Sequence, residues 1–490
     1  MRARLLLLGL LGTASVLGAC CRSSKQVAVA RAECLSPLSY GAVVNDGRDD
    51  RAAIQSAIDA ASTAGIDVCL PRGDLHVGRR EGAISSLQLA GTKTSIRGEG
   101  DRSRLVMLDQ PSDNDDRDWW VLEVTGTKHV VADFSMEGTA RGVTNEQTHL
   151  IQVLGPAREI TLERLTLALP VQTISKGGDC IRMLGEPDAR VEGVTISDVR
   201  GESCARSFIA FQRFVSKVLI DRVRSVEIGG GAIDMEPTGD GAIHDVTIRR
   251  SDFRRGSVAR GGWTIALAGS QTVHSEQLVL EDCVIEAGIW VYRVKGATIQ
   301  YNKLHGGPQD RGMIKVVKDS EHVLIENNLI ERDGDAGNGV EISSHNGKWP
   351  RDIVIRNNEI VLRTDGAPIH GEPVEGIEIV DNTITCTAPS GRPAVYLRGV
   401  ATPISKAHVR SNAIRGHCSE AVRIVQHGEH VTGSTVVEDN VVEGTKFGVI
   451  FENGGPGVKP VIDRNVFKGV SGRDQVVGSE RHGFAGRNSK

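Results

Sequence analysis

The chain has 490 residues, more than one ordinary globular core holds, and shows no obvious linker in its middle, so it is either several domains or one elongated repeat. Hydrophobic residues make up 39%, aromatics only 4%, and glycine is abundant at 57, which suits many short aliphatic strands joined by tight turns and argues against a helical bundle. Lys plus Arg 58 against Asp plus Glu 62 leaves a net charge of −4, with no electrostatic footprint for a phosphate backbone or an anionic membrane surface, so nucleic acid is not an expected partner.

The first residues, MRARLLLLGLLGTASVLGACC, join Arg2 and Arg4 to an apolar run from Leu5 to Leu17 that is too short to span a bilayer. Residues 1–19 read as a secretory signal. LGAC at 17–20 resembles the bacterial lipoprotein box, which implies cleavage before Cys20 and a diacylglyceryl group on its sulfur, the chain's one expected contact with a membrane. Residues 20–36 then form a lipidated tether. Cys21 is not the aspartate associated with inner-membrane retention, so the expected location is the cell envelope, at the outer membrane.

Within residues 40–77, Asp49 or Asp50 can cap a helix that carries Ile54, Ala57, Ile58 and Ala61 on one apolar stripe. Farther on, DQPSDNDDRDWW at 109–120 clusters Asp113, Asp115, Asp116 and Asp118 but lacks the glycine and terminal glutamate of a helix-loop-helix calcium site. A solvated loop is expected there, with Trp119 and Trp120 either marking a substrate subsite or packing under it.

From about residue 120 one pattern repeats: a glycine-bounded apolar triplet, a loop, then a second strand such as VTISDV, VTIRRSDF or VLIENNLI. The triplets are anchored at Leu122, Ile151, Ile181, Ile209, Ile233, Ile265, Ile289, Ile314, Val340, Ile369, Val395, Val422 and Val449, at intervals of 24 to 32 residues. Period-two alternation at such a repeat predicts a solenoid of about thirteen stacked strand coils. Residues 37–470 form this body and 471–490 a C-terminal tail. In the second series an asparagine recurs at one register, at Asn302, Asn328, Asn358, Asn382, Asn412, Asn440 and Asn465. Amides stacked coil upon coil can hydrogen-bond along the axis, which predicts a structural ladder.

Of nine cysteines, Cys20 would carry lipid, and an exported chain meets oxidising conditions. Cys180 and Cys204 lie one repeat apart, Cys386 and Cys418 roughly one repeat apart, and Cys34 and Cys69 share the N-terminal region, so these three bridges are expected. Cys283 falls at an apolar repeat position and is expected to be a buried free thiol.

Stacked coils with an asparagine ladder resemble the right-handed parallel β-helix of the pectate lyase superfamily. YGAVVNDGRDDRAAIQSAIDAASTAGIDVCLPRGDLHV, residues 40–77, is similar to the segment that opens many pectate-lyase-like and polygalacturonase-like chains, where a strand and short helix cover the first coil. The resemblance implies an all-β fold with an N-terminal capping helix. Its motif specifies fold and leaves the reaction open.

GGGAIDMEPTGDGAIHDVTIRRSDF, residues 229–253, places Asp234 and Glu236 between apolar Ile233 and Met235. With the apolar pair inward, the acids face out, about 7 Å apart along the strand. Outward positions of the same strand in other coils carry Arg182, Gln212, Trp290, Tyr292, Lys315, Glu341, Tyr396, Arg398 and Arg423. Coils about 4.8 Å apart put the two aromatics roughly 10 Å from the acids. An elongated face with aromatics, acids and bases suits a sugar polymer.

For hydrolysis one carboxyl protonates the leaving oxygen while the other activates water, and a spacing of about 7 Å lies nearer the inverting range. Asp234 and Glu236 are the candidate acid and base. The polygalacturonase pattern is incomplete: GGDCIRM at 177–183 keeps only Asp179 of its paired aspartates, and RVK at 293–295 lacks the histidine segment before it. A lyase or uronate epimerase would instead need Arg182, Lys315, Arg398 or Arg423 as base, with calcium as a candidate cofactor. Histidines 149, 244, 345, 370 and 417 show no metal-ligand spacing, no Ser-His-Asp arrangement is visible, and neither a metal nor another cofactor is expected for hydrolysis. The resulting expectation is a monomeric, lipid-anchored glycoside hydrolase. A lyase or epimerase, and a non-catalytic glycan-binding or surface protein, stand as alternatives.

Overall fold

The computed structural model describes residues 34–109, 118–139, 147–169, 177–255, 263–306, 312–333, 336–387, 389, 391–399, 404–426, 434–452, 460–471, 476–478 and 488. Cys20, the signal segment, and Asp113, Asp115 and Asp116 lie outside the described residues.

The strands pair in parallel, coil on coil, along three ladders. In the first, Leu122 pairs with Ile151, Ile151 with Ile181, Ile181 with Ile209, and the same step runs through every anchor to Val422 and Val449. Each anchor is at most 1% exposed, so the register is held by a continuous aliphatic column, worth about 1.5–3 kcal/mol for each side chain removed from water. A slip of one residue would turn the whole column outward. The second ladder aligns Val194, Val218, Val246, Leu278 and Ala297. The third aligns Leu304, Ile330, Ile360, Ile384, Ile414, Val442 and Phe467. The result is an all-β, right-handed parallel β-helix of about 12 turns.

Between the second and third ladders the chain bends sharply through one left-handed residue per coil, including Tyr301, Asn357, Asp381 and Asp439 at φ near +55° (56°, 54°, 56° and 56°). That conformation costs a non-glycine residue about 1–2 kcal/mol. The ladder asparagine that follows offsets it. Asn382 Oδ1 accepts the backbone N–H of Asn358 at 2.9 Å and its side-chain amide at 3.0 Å, while Asn382 Nδ2 donates to the Ile355 carbonyl at 2.8 Å. The expected ladder therefore forms, and Asn488, which the sequence pattern did not include, extends it by accepting the Asn465 N–H at 3.1 Å. Toward the N-terminus Cys283 and Ser251 take its register, with Ser251 Oγ accepting the Val223 N–H at 3.1 Å.

The helix Arg51–Ala64 buries Ile54, Ala57, Ile58 and Ala61, the stripe expected, and ends at Gly65, whose φ of 67° only glycine adopts readily. Asp50 stands at its N-cap position but makes no capping hydrogen bond. Its carboxylate instead accepts N–H groups of Val43 at 2.8 Å and His76 at 2.9 Å, tying the helix start to the first coil. On the helix, the Gln55 side chain donates to Gln88 O at 3.0 Å and accepts from Gln88 N at 2.8 Å, closing part of an open strand edge.

Disulfides join Cys34 to Cys69, Cys180 to Cys204 and Cys386 to Cys418, the expected pairs, and Cys283 is buried and free. Two paired elements lie outside the 37–470 span: Cys34–Leu35 pairs with the strand Asp67–Cys69, and Val476–Gly478 with Phe447–Glu452. No described helix is long and apolar enough to cross a membrane.

Candidate functional site

The strand Ile233–Met235 sends Ile233 and Met235 into the core and Asp234 outward. In register, Asp234 lies between Ala210 and Ala266, with Arg182 and Trp290 one coil beyond them, so the carboxyl stands in a trough whose ends are the longer side chains. Its side chain keeps 21% of its exposure, against 49% for Glu236. Burial first, then the charges of Glu236 and Asp179, push the Asp234 carboxyl up to about 7, against the pull of Arg206 and a hydrogen bond from Ser207. One Arg206 nitrogen binds Glu236 Oε2 and stands 3.9 Å from Asp234 Oδ2, so these two oxygens lie at most about 7 Å apart.

Beneath the pair lies a polar cluster that strand alternation alone does not reveal. His149, Asp179 and Ser207 each fall two residues before an anchor, in successive coils, and all three are 0% exposed. The Ser207 N–H donates to Asp179 Oδ1 at 3.0 Å, and Ser207 Oγ donates to Asp234 Oδ2 at 3.3 Å. The Asp179 N–H donates to His149 Nδ1 at 3.0 Å. Burial, reinforced by Arg182 and Arg206, holds His149 well below its ordinary pKa. Burial also raises Asp179 to about 6 against the same two arginines. Serine, histidine and aspartate thus meet after all, but the serine hydroxyl bonds Asp234 and not the imidazole, so this is a support for the outer acid and not a nucleophilic triad.

Among the other expected site residues, Arg182 is 8% exposed, lies 3.2 Å from His149 Nε2 and donates to Gln212 Oε1, so it belongs to the buried support. Trp290 and Tyr292 are half-buried on the outer face, ring centroids 4.8 Å apart, and Trp263 stacks on Trp290 at 6.4 Å and 11°. Lys315 pairs with Glu341 at 2.6 Å, and Arg398 with Glu372 at 3.2 Å. Arg423 lies 3.0 Å from Glu452. Tyr396 stacks on His370, 5.2 Å away and within 6° of parallel. Trp119 and Trp120, 2% and 4% exposed, are core residues, which removes them as a substrate subsite: Trp119 Nε1 donates to Ser86 Oγ at 2.7 Å.

Arg206, Ser207 and Glu372 carry no signal in the sequence reading, and His149 and His370 enter it only as histidines without metal-ligand spacing. His370 directly follows an anchor, and a stricter reading of that column would have found it. Arg206 lies in the turn before its strand, where no alternation applies. Among the described residues one grouping, Asp46, Asp50 and His76, brings potential metal-ligand atoms within 4.8 Å. Both Asp50 oxygens already accept backbone N–H groups, so this is a hydrogen-bonded corner of the first coil.

The family description "Right handed beta helix region" matches residues 232–392 and 287–482. The chain belongs to the right-handed β-helix family. No curated protein matches this β-helix chain. Solved structures do resemble it. A tailspike mutant of E. coli bacteriophage HK620, in complex with pentasaccharide, is 12% identical with a TM-score of 0.51, over 91% of this chain and 80% of that one. The surface adhesin PfbA of Streptococcus pneumoniae is 16% identical, TM-score 0.45, over 91% and 100%. The A-module of the Azotobacter vinelandii mannuronan C-5 epimerase AlgE6 is 17% identical, TM-score 0.35, over 92% and 99%. At these identities the likeness is one of fold.

Proposed function

We propose that this β-helix protein is an extracytoplasmic, lipid-anchored glycoside hydrolase, with Asp234 as general acid and Glu236 as general base. The observation that carries the reading is the unequal environment of two carboxyls two positions apart on one strand. Asp234, largely buried in the trough between Arg182 and Trp290 and pushed up to about 7, can hold a proton near neutral pH, while Glu236 is half exposed beside Arg206. Paired acids in contrasting environments are how acid and base roles divide. Asp234 gives its proton to the departing glycosidic oxygen, and water loses a proton to Glu236 as its oxygen attacks the anomeric carbon, which inverts the configuration. Trp290 and Tyr292 offer rings for the flanking sugars. The fold resemblance to a tailspike in complex with pentasaccharide supports a saccharide partner. The three disulfides support export. Attachment through Cys20 to the outer membrane, with the chain a monomer, completes the proposal.

The lyase and epimerase alternatives lose ground, because Lys315, Arg398 and Arg423 are each engaged by a glutamate and Arg182 is buried. Binding without turnover is favoured by one observation: Arg206 engages both carboxylates. Incubation with a panel of neutral and acidic polysaccharides decides among these, read as reducing ends and as absorbance of an unsaturated uronate. Reducing ends alone, lost in Asp234→Asn and Glu236→Gln, are expected. Unsaturated product would indicate elimination, and no product across the panel would leave the binding reading. Full activity in both variants would remove the acid-base assignment.

A further inference from the structure

Five coil steps along the ladder from Asp234, about 24 Å at the spacing of stacked strands, lies a pocket of about 300 Å³ lined by Gly337, Asn338, Gly366, His370, Arg392 and Tyr396. We propose that this pocket binds one neutral sugar residue of a glycan chain, as a subsite separate from the acids.

Its existence follows from two glycines. A Cβ on Gly366 would stand 2.0 Å from Gly337 O, so only glycine lets these loops stack, and no side chain rises from that wall to fill the space. The volume lies at the lower end of small-molecule pockets, about 300–1,000 Å³, which suits a single ring. Its polar groups are fixed in advance. Asn338 Oδ1 accepts the Ala367 N–H at 3.1 Å, which orients the amide so that Nδ2 donates to His370 Nδ1 at 3.2 Å. His370 Nε2 stands 3.1 Å from Glu372, and the Tyr396 ring lies parallel to the imidazole. Little ordering is left for a ligand to impose. The class of sugar follows from charge. The lining carries one arginine, Arg392, and one aspartate, Asp365, so it presents no net charge to a carboxylate, while the Asn338 amide oxygen and the Tyr396 phenol match hydroxyl groups.

The proposal rests on reading this face as a saccharide groove, but not on turnover at Asp234. Saturation-transfer NMR with D-glucose, D-galactose and D-mannose, and with D-glucuronate and D-galacturonate, tests it on the purified protein. At least one neutral sugar is expected to receive transfer, equally in wild type and Asp234→Asn. With the ring beside the acids removed by Trp290→Ala, Ala336→Trp, an exposed position at the pocket mouth, should abolish the remaining transfer, and Tyr396→Phe should weaken it about tenfold. Thermal melting verifies that these variants fold. In the Trp290→Ala protein, no transfer to any neutral sugar, stronger transfer to the uronates, or transfer that survives Ala336→Trp would overturn the proposal. If hydrolysis proceeds while any of these holds, the distal subsite fails alone; if binding is seen without hydrolysis, the acid-base reading fails alone.

Discussion

Replacing Asp234 by asparagine should stabilise the protein at pH 8 and leave it nearly unchanged at pH 4. The unfolded carboxyl ionises near 3.8 and the folded one near 7, because burial, and then Glu236 and Asp179, disfavour its charge. Between those values the folded state holds a proton that the unfolded state has released. Stability is therefore lost as pH rises from about 4 to 7 and stays lost above. About three pH units at 1.36 kcal/mol each give roughly 4 kcal/mol. The fifth of the side chain that meets solvent reduces this to about 3 kcal/mol. Asparagine keeps the shape and the hydrogen-bonding oxygen but cannot ionise, so it escapes the loss. Urea unfolding of wild type and variant at both pH values gives the test, and comparing the two proteins cancels groups that titrate alike in both. A difference between variant and wild type that is the same at pH 4 and pH 8 would refute the raised carboxyl, and with it the assignment of Asp234 as the acid.

Two further outcomes probe the scaffold. Asn382→Ala strips the Asn358 N–H and the Ile355 carbonyl of their partners inside the corner, so unfolding in urea should show a loss of about 3 kcal/mol, against less than about 0.5 kcal/mol for the exposed neighbour Glu359→Ala; equal losses would refute a structural ladder. Cys283, whose thiol burial pushes up to about 12, should stay unlabelled by an aromatic disulfide reagent at pH 8 until denaturant is added, as read by peptide mapping, and labelling of the native protein within minutes would contradict its burial.

The scaffold was legible because its causes are local and repeated. Each anchor from Leu122 to Val449 pairs with the next in the expected register, since a one-residue error would expose an entire aliphatic column. The disulfides follow from the same spacing: residues one coil apart in sequence are neighbours in space. The site was legible only where strand alternation governs it. Asp234, Glu236, Trp290 and Tyr292 face outward as expected, whereas Arg206 approaches from a turn whose path no periodicity fixes. Arg182 shows a second limit, because an outward position on a strand can still be covered, here at 8% exposure, with the guanidinium turned to His149 and Gln212 of the adjacent coils. Asp50 shows a third: the residue type marked the helix start, but its oxygens found better donors in the first coil than in the helix.

The contrast between the two acids has a cause that the stacked geometry makes readable. On a β-helix a side chain's depth is set less by its own strand than by the residues directly above and below it. Asp234 has alanine on both sides, Ala210 and Ala266, and Trp290 stands one coil beyond the second alanine. That leaves a trough three coils wide, with Arg182 at one end and an aromatic wall at the other. Ser207 reaches the carboxyl from below, and Arg206 closes over it toward Glu236. A column that runs small, acid, small, aromatic, closed over by Arg206, therefore yields a largely buried, protonatable carboxyl on an otherwise solvated face.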